Sequence, residues 1–161
     1  MRLTTKGRYA VTALLDLAYH SEKKGPVTLT DIAKRQQISL SYLEQLFSRL
    51  RRAGMVEGVR GPGGGYQLSR DTSQINIADI VCAVDETIDS TRCSGKSNCQ
   101  GSQPCLSHEL WIGLSEQIRQ YLSSISLQDV LQRKHIRQVA ERQEIQASGQ
   151  GTDVLIRQTH A

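Results

Sequence analysis

The segment that is most informative about the architecture of the chain reads Ile38-Ser39-Leu40-Ser41-Tyr42-Leu43-Glu44-Gln45-Leu46-Phe47. Its apolar residues recur every three or four positions, which is the period of one helix face. We expect the buried face to carry Leu40, Leu43, Phe47 and Leu50. Ser39 suits the N-cap of this helix, and Ser41 and Glu44 have the spacing of a capping box. The segment therefore predicts an amphipathic helix whose polar face is left free.

A shorter helix is predicted immediately before this one. It runs from near residue 29 to residue 36, with Thr28 or Thr30 as its N-cap, and residues 37–38 form a turn. Two short helices joined by a tight turn, the second with polar groups on its outer face, are typical of a helix-turn-helix. A longer first helix precedes the pair, because apolar residues recur with helical spacing over residues 5–20.

A β-hairpin is predicted directly after the helix-turn-helix. Residues 55–60 and 66–69 read as strands, and the linker between them is Gly61-Pro62-Gly63-Gly64-Gly65. A nucleotide-binding loop would need a Lys followed by Ser or Thr, or a helix after the glycines, and the sequence offers neither. The glycines therefore predict a turn, and the hairpin is the wing of a winged helix-turn-helix.

The charge of the chain is divided unevenly. Residues 1–70 contain 12 basic and 5 acidic side chains, a net charge of +7, whereas the rest contain 8 and 11, a net charge of −3. A basic half indicates a polyanionic partner for that half. Together with the winged helix-turn-helix, this charge predicts binding to double-stranded DNA.

In this fold the outward residues of the second helix enter the major groove, and a wing residue can enter a minor groove. Arg60, at the base of the wing, suits the second role. Two alternatives stay open, because Glu44 could serve only as the capping partner of Ser41, and Tyr42 could pack against the first helix. The candidates for phosphate contacts are Arg2, Lys6, Arg8, Arg49, Arg51 and Arg52.

A candidate metal-ligand set lies between the two halves of the chain. Cys93, Cys99, Cys105 and His108 fall within sixteen residues, and the stretch that joins the cysteines has no large apolar residue. Three thiols and an imidazole suit zinc, copper(I) or an iron–sulfur cluster. A structural zinc site of three cysteines and one histidine is therefore an alternative to a cluster. We expect Cys82, which falls on a predicted helix over residues 76–86, to be a small buried residue instead.

The last predicted element of any length is a helix that begins near Pro104 and runs to about residue 123. Its opening turn would carry Cys105 and His108 on one face. One small winged domain cannot cover the apolar stripe of this helix, so we expect a homodimer, which also has the two-fold symmetry of many operators. The stripe contains Leu110, Trp111, Ile112, Leu114, Ile118, Tyr121, Leu122 and Ile125.

We therefore divide the chain into four regions, which give a mainly α fold with a small β-hairpin. Residues 1–87 form the winged helix-turn-helix domain, and residues 88–108 form the cluster-binding loop. Residues 104–134 form the dimerisation helix and a short final helix. Residues 135–161 are rich in Gln, Arg, Thr and Gly with scattered apolar residues, and we expect disorder there.

The composition argues against several other classes of protein. The chain has no segment long and apolar enough to cross a bilayer and no apolar run at its N-terminus, which favours the cytoplasm. Thiols stay reduced in that compartment, so clustered cysteines favour metal binding over disulfides. No nucleophile–base pair, paired carboxylates or C-x-x-C motif is present, and we expect no enzymatic activity.

Taken together, these motifs resemble the IscR family of bacterial iron–sulfur cluster regulators. The resemblance covers about residues 1–135 and is carried by residues 3–10, residues 38–47, residues 59–66 and the Cys/Cys/Cys/His set. It implies a homodimeric winged-helix transcription factor with one [2Fe–2S] cluster per subunit, supplied by the cluster-assembly machinery. In the family, the cluster-loaded form represses the cluster-assembly operon, and the apo form still binds a second class of promoter.

The resemblance also implies roles for individual residues. Cys93, Cys99, Cys105 and His108 would be the cluster ligands, and Arg60 the minor-groove residue. Related winged regulators that sense nitric oxide or iron share three cysteines but differ in the cluster or the fourth ligand, and the histidine favours the assembly regulators. The residues that match the base-reading helix of the family are Ser39, Ser41, Tyr42, Glu44 and Gln45.

Overall fold

The computed structural model describes residues 5–85 and 87–149. Within these residues the chain forms seven α-helices, a single 3₁₀ turn and one two-stranded antiparallel sheet, which confirms the predicted mainly α fold with a small hairpin. The helices are α1 (Thr5–Lys24), α2 (Leu29–Gln36), α3 (Leu40–Arg52), α4 (Ile77–Ala83), α5 (His108–Ser123), α6 (Leu127–Leu131) and α7 (Lys134–Ala147), and the strands are β1 (Val56–Val59) and β2 (Gly65–Leu68).

The helix-turn-helix consists of α2 and α3, and side chains cap both helices. The Thr28 hydroxyl accepts a hydrogen bond from the Asp31 amide at 3.1 Å, and the Ser39 hydroxyl accepts one from the Tyr42 amide at 3.4 Å. Gln37 joins the helices in a left-handed conformation with φ 54°. Because Ser39 is the N-cap, Ser41 lies inside the helix, and the capping box predicted for it does not form.

The inner face of α3 differs from the predicted one at its first residue. Leu43, Phe47 and Leu50 are buried as expected, and Leu46 joins them. Leu40 is 41% exposed, so its predicted burial is wrong. Leu40 is the first residue of the helix, directly after the exposed N-cap Ser39, and lies outside the buried stripe that begins at Leu43.

The wing is the hairpin of β1 and β2, in which Val56 pairs with Leu68 and Val59 with Gly65. A further backbone bridge joins Val27 to β2, with N–O distances of 2.9 and 2.7 Å. A Cβ atom at position 65 would lie 2.5 Å from the Val27 carbonyl oxygen, so only glycine fits this close approach. The predicted hairpin is confirmed, and its glycines serve the turn and the packing of the backbone.

A buried ion pair joins α1 to α2. The guanidinium of Arg35 contacts both carboxylate oxygens of Asp16, with an Nη2–Oδ1 distance of 2.7 Å, and Gln36 donates to the same carboxylate at 2.6 Å. The Asp16 side chain is only 1% exposed. A buried carboxylate needs such partners, so this pair fixes the first helix of the helix-turn-helix against the core.

α4 packs its apolar side chains inward and anchors the long helix that follows it in the chain. Ile80, Val81 and Val84 are buried. Backbone bonds from Ile77 and Leu127 tie the start of α4 to the junction between α5 and α6. Cys82 is exposed, so its predicted burial is wrong: it falls on the outer face of this short helix. The predicted end of the helix, Glu86, lies outside the described residues.

The prediction of disorder is wrong for residues 135–147, because they form most of α7. Gln143 exchanges hydrogen bonds with Gln36 of α2 at 3.0 and 3.2 Å, and Glu144 forms an ion pair with Lys24 of α1. Ile136 and Val139 face the same cleft as Leu15 of α1. Residues 150–161 of the predicted tail lie outside the described residues.

Candidate metal centre and nucleic-acid interface

The loop between α4 and α5, residues 88–107, is held by hydrogen bonds rather than by a core of its own. The Ser90 amide donates to the hydroxyl of Ser115, a buried residue of α5, at 2.8 Å. The Gly95 amide donates to the Thr91 hydroxyl at 2.8 Å, and the Thr91 amide donates to Asp89 at 2.6 Å. This ligand loop is therefore fixed to α5 on the N-terminal side of its cysteines.

Three of the four predicted ligands converge at the start of α5. The Sγ atoms of Cys93 and Cys99 each lie 3.6 Å from Nδ1 of His108. The three possible ligand atoms are all within 4.8 Å of one another. His108 is 4% exposed, and the two cysteines are half-buried. Two sulfurs and one nitrogen at this separation form a set of donors that one metal centre can use.

Cys105 lies beside the triad of Cys93, Cys99 and His108 but is not part of it. Its amide donates to Sγ of Cys99 at 3.0 Å, and its own Sγ lies 3.7 Å from the Ser107 hydroxyl. The prediction that Cys105 and His108 share the opening turn of the helix is wrong, because α5 begins only at His108. Cys105 instead belongs to the preceding turn, where its carbonyl accepts from the His108 amide at 3.1 Å.

The surroundings of the cysteines shift the pKa values of their thiols in different directions. Burial raises the pKa of Cys93, but hydrogen bonds from the Thr91 side chain and from the amides of Ser97 and Asn98 outweigh it and lower that pKa to about 7. The pKa of Cys105 is lowered mainly by a hydrogen bond from Cys99. A thiolate is the metal-binding form of cysteine, so Cys93 is prepared for ligation near neutral pH.

The acidity of Cys99 changes in the opposite direction. The amide of Cys105 stabilises its thiolate, but the neighbouring thiols of Cys105 and Cys93, together with burial, raise its pKa on balance. Ionising all of the two or three thiols that share one site costs additional free energy, because the negative charges of the thiolates repel one another. A bound cation would relieve this repulsion.

Ser97 contacts the triad, and it was absent from the predicted ligands and their partners. Its Oγ lies 3.1 Å from Nε2 of His108, the ring nitrogen that faces away from the thiols. A serine in a polar loop carries no pattern that distinguishes it from its neighbours, so sequence alone offered no signal for this contact.

The outer face of α3 presents most of the residues predicted to read bases. Ser39, Ser41, Glu44 and Gln45 are exposed. Tyr42 is half-buried, and its ring meets the ring of Tyr9 on α1 edge-on, with centroids 5.8 Å apart. Tyr42 therefore packs against the first helix, which is the alternative to base contact that the sequence left open for this residue.

The basic side chains around α3 differ in what they contact. Arg60 is exposed, immediately after β1. Arg49, a predicted phosphate contact, instead donates to the Val84 carbonyl at 2.9 Å and to the Asp85 carboxylate at 2.7 Å. It therefore links α3 to the end of α4. Arg2, another predicted phosphate contact, lies outside the described residues.

α5 carries an exposed apolar face. Leu110 is 65% exposed and Tyr121 is 61% exposed, and Trp111 and Leu114 also reach solvent. Ile118 and Leu122 are half-buried, because they pack against Ala78, Val81 and Ile88. The predicted stripe is thus divided between a face that covers α4 and a face that no other part of residues 5–85 and 87–149 covers.

None of the helices within residues 5–85 and 87–149 combines the length and the apolar character that a bilayer crossing needs.

Comparison with known proteins gives a family match over most of the chain. The model of the Rrf2 family, described as an iron-dependent transcriptional regulator, matches residues 3–133. The HTH-type transcriptional regulator IscR of Xenorhabdus nematophila is 59% identical over 144 residues, which are 89% of this chain and 87% of that protein. The IscR of Photorhabdus laumondii is 58% identical over the same length. The resemblance inferred from the motifs is confirmed.

Solved structures agree with this match. The structure titled T. potens IscR is 36% identical, with a TM-score of 0.65, and the match covers 81% of this chain and 86% of that one. CymR, titled the global cysteine regulator of B. subtilis, is 33% identical, with a TM-score of 0.69 over 81% of this chain and 96% of that one. All these relatives are named as regulators, which confirms the prediction that the chain is not an enzyme.

Proposed function

Because this chain belongs to the Rrf2 family of transcriptional regulators, we propose that it binds promoter DNA as a homodimer and that a [2Fe–2S] cluster, one per subunit, selects its operators. The cluster-loaded form represses the operon for cluster assembly, and the apo form still binds a second class of promoter. The protein works in the cytoplasm and takes its cluster from the assembly machinery.

The observation that carries this proposal is the convergence of two thiols on one imidazole. Sγ of Cys93 and Sγ of Cys99 lie at equal distances of 3.6 Å from Nδ1 of His108. Thiolates and imidazole are the protein ligands of iron–sulfur clusters. Cys105 is the natural fourth ligand, because its amide already contacts the Cys99 sulfur. The residues present therefore fit a cluster with three cysteine ligands and one histidine ligand.

The histidine gives a physical reason for a sensor. A cluster held by three thiolates and a neutral imidazole is one unit less negative than a cluster with four thiolates, and its reduction potential is higher, as in Rieske centres. Imidazole also competes for protons, so the site should release its cluster more readily at mildly acid pH. A regulator that holds its cluster weakly loses it first when cellular demand is high.

The proposed dimer is supported by the uncovered face of α5. Its exposed leucine, tryptophan and tyrosine side chains are of the kind that become buried at subunit interfaces. α5 itself begins at His108, two residues before Leu110, so the ligand loop and the subunit contact would be neighbours. Loading or loss of the cluster then changes how the α3 helices of the two subunits are spaced on an operator.

Anaerobic purification followed by absorption spectroscopy and by iron and acid-labile sulfide assays tests the proposal. We expect a red-brown protein with about two irons and two sulfides per subunit, which is the content of one [2Fe–2S] cluster. Cys93→Ala should abolish the colour, whereas the matched control Cys82→Ala should keep it, because Cys82 lies on α4 and is not among the converging ligands.

The same assays separate the alternatives. A colourless protein with one tightly held zinc per subunit, fully active after aerobic purification, would contradict the proposal and favour a structural zinc site. Iron without sulfide would instead indicate a mononuclear iron site, and another ratio of iron and sulfide to protein would favour a related regulator with a different cluster.

A further inference from the structure

Ser97 occupies an unusual position in the ligand loop. Its hydroxyl lies 3.1 Å from Nε2 of His108, on the side of the ring opposite the two thiols. Since His108 is only 4% exposed, bulk water has little access to the ring. The Ser97 hydroxyl thus supplies Nε2 with a hydrogen-bonding partner that solvent would otherwise have to provide.

The backbone of Ser97 is also unusual. Its φ of 58° lies in the left-handed region, which L side chains other than Asn and Asp rarely adopt. The Lys96 amide closes the preceding turn on the Cys93 carbonyl at 3.1 Å. The loop therefore holds Ser97 in a left-handed conformation while its hydroxyl contacts the ring.

The two nitrogens of His108 have complementary requirements. Nδ1 faces Cys93 and Cys99, so it is the nitrogen placed to bind a metal. An imidazole that binds through Nδ1 carries its proton on Nε2, and this N–H needs an acceptor. Metal-binding histidines almost always donate this second N–H to a neighbouring group, which fixes the tautomer and the orientation of the ring.

We propose that Ser97 is the positioning residue for His108: its hydroxyl accepts the Nε2 hydrogen bond and holds Nδ1 toward the metal centre. The inference rests on the proposed function, since it takes His108 as a ligand. It adds that Nδ1 is the ligating atom and that a side chain outside the four ligands sets the strength of the site.

Zinc binding to the reduced apo protein tests this inference without a cluster. Zinc affinity is measured by competition with a chelator, and the side-chain nitrogens of His108 are observed by ¹⁵N NMR, with His108→Ala to assign them. In the wild type we expect zinc to shift Nδ1 and the Nε2 proton to exchange slowly with water. Ser97→Ala should weaken zinc binding about tenfold, the lower end of the range for such partners, and accelerate this exchange.

Three further variants separate the hydroxyl from the backbone. Ser97→Gly removes the hydroxyl and also relieves the left-handed strain, so it should weaken zinc binding as Ser97→Ala does. Ser97→Asn tolerates this backbone and carries an acceptor oxygen, so it should restore the slow exchange of the Nε2 proton. Ser94→Ala is the matched control, because Ser94 is the other left-handed serine of the loop, with φ 52°.

Several results would overturn the inference. They are zinc bound through Nε2, zinc that leaves the His108 signals unshifted, a Ser97→Ala variant with unchanged affinity and exchange, or an equal loss in Ser94→Ala. The proposed function fails by a different measurement, the absence of iron and sulfide from the anaerobic wild type. That failure would leave the zinc results intact.

Discussion

Cys93 differs from its neighbours in how readily it ionises. Burial raises the pKa of its thiol, and hydrogen bonds from Thr91, Ser97 and Asn98 reverse this effect and lower the pKa to about 7. In the reduced apo protein we expect the alkylation rate of Cys93 by iodoacetamide to fall as the pH drops below about 7, because only the thiolate reacts. Mass spectrometry of the digested protein measures this rate for each cysteine.

Cys99 serves as the internal comparison in this experiment. Its pKa is raised on balance, so its alkylation should stay slow between pH 6 and 8, where that of Cys93 increases. Equal pH profiles for the two thiols would contradict the hydrogen-bonding environment described above.

Arg60 is the wing residue that we predict to contact DNA. It is exposed directly after β1 and before the glycine turn. Arg60→Ala should weaken operator binding by about 1–3 kcal/mol, the usual value of one good base contact, without loss of the cluster colour. Fluorescence anisotropy with a labelled operator at fixed salt measures this loss.

The control for Arg60 is Arg142→Ala, which removes the same charge from an exposed position on α7. If the two variants bind the operator equally well, Arg60 contributes only through net charge and does not contact the groove.

At the scale of elements, the pair Asp16–Arg35 holds α2 against α1. The Asp16 side chain is 1% exposed and the Arg35 side chain is 12% exposed. Arg35→Met should lower the free energy of unfolding by about 3 kcal/mol, because it leaves a buried carboxylate without its cation. Urea unfolding followed by circular dichroism measures this change. Lys34→Met, one residue earlier and exposed, should cost less than about 0.5 kcal/mol.

Local signals account for the elements that could be predicted from the sequence. Ser39 marks the start of α3, and the glycines of the wing mark its turn, because capping and tight turns depend on residues within a few positions. The helix-turn-helix and the hairpin were therefore found almost residue by residue. The spacing of Cys93, Cys99 and His108 is a local signal of the same kind.

Long-range contacts account for the elements that were missed. α7 depends on Gln36 and Lys24, which are more than a hundred residues away in the chain, and its own residues give a weak apolar pattern. The start of α5 was placed too early, because Pro104 suits a first helical turn but the actual helix begins at His108. The contact between Ser97 and His108 also depends on tertiary geometry alone.

For the whole molecule, the stability of the fold should depend on pH through His20. This side chain is 2% exposed, and its Nδ1 has no hydrogen-bonding partner among the described residues. Burial lowers its pKa, as do Arg35 and Lys24, whereas Asp16 and Glu144 oppose them. The unfolded chain therefore binds more protons, so stability is complete above the ordinary histidine pKa of about 6.5 and is lost as the pH falls below it.

Urea unfolding of the apo protein between pH 5 and pH 7.5 tests this dependence. One proton contributes at most about 1.4 kcal/mol per pH unit. His20→Gln should flatten the slope below pH 6.5, and His135→Gln, at an exposed position, should leave it unchanged. A His20 variant with the slope of the wild type would show that this histidine is not the group that titrates.

The charge distribution of the whole molecule sets how DNA binding depends on salt. The half that contains the helix-turn-helix and the wing has a net charge of +7, although Arg49 is engaged with Asp85 and so contributes less to DNA contacts. A dimer doubles this basic surface. If it neutralises roughly 6–10 phosphates, operator affinity should fall by about 10³–10⁵ between about 50 and 200 mM salt, because each contact releases condensed counterions.

Anisotropy titrations of the cluster-loaded protein over a salt series measure this slope, with Arg60→Ala measured in parallel. If the Arg60 guanidinium neutralises a phosphate charge, the variant should lose about one unit of slope, whereas a pure base contact should leave the slope unchanged and lower the affinity at every salt concentration. An affinity that stays constant across the series would contradict phosphate contacts as the main source of binding energy.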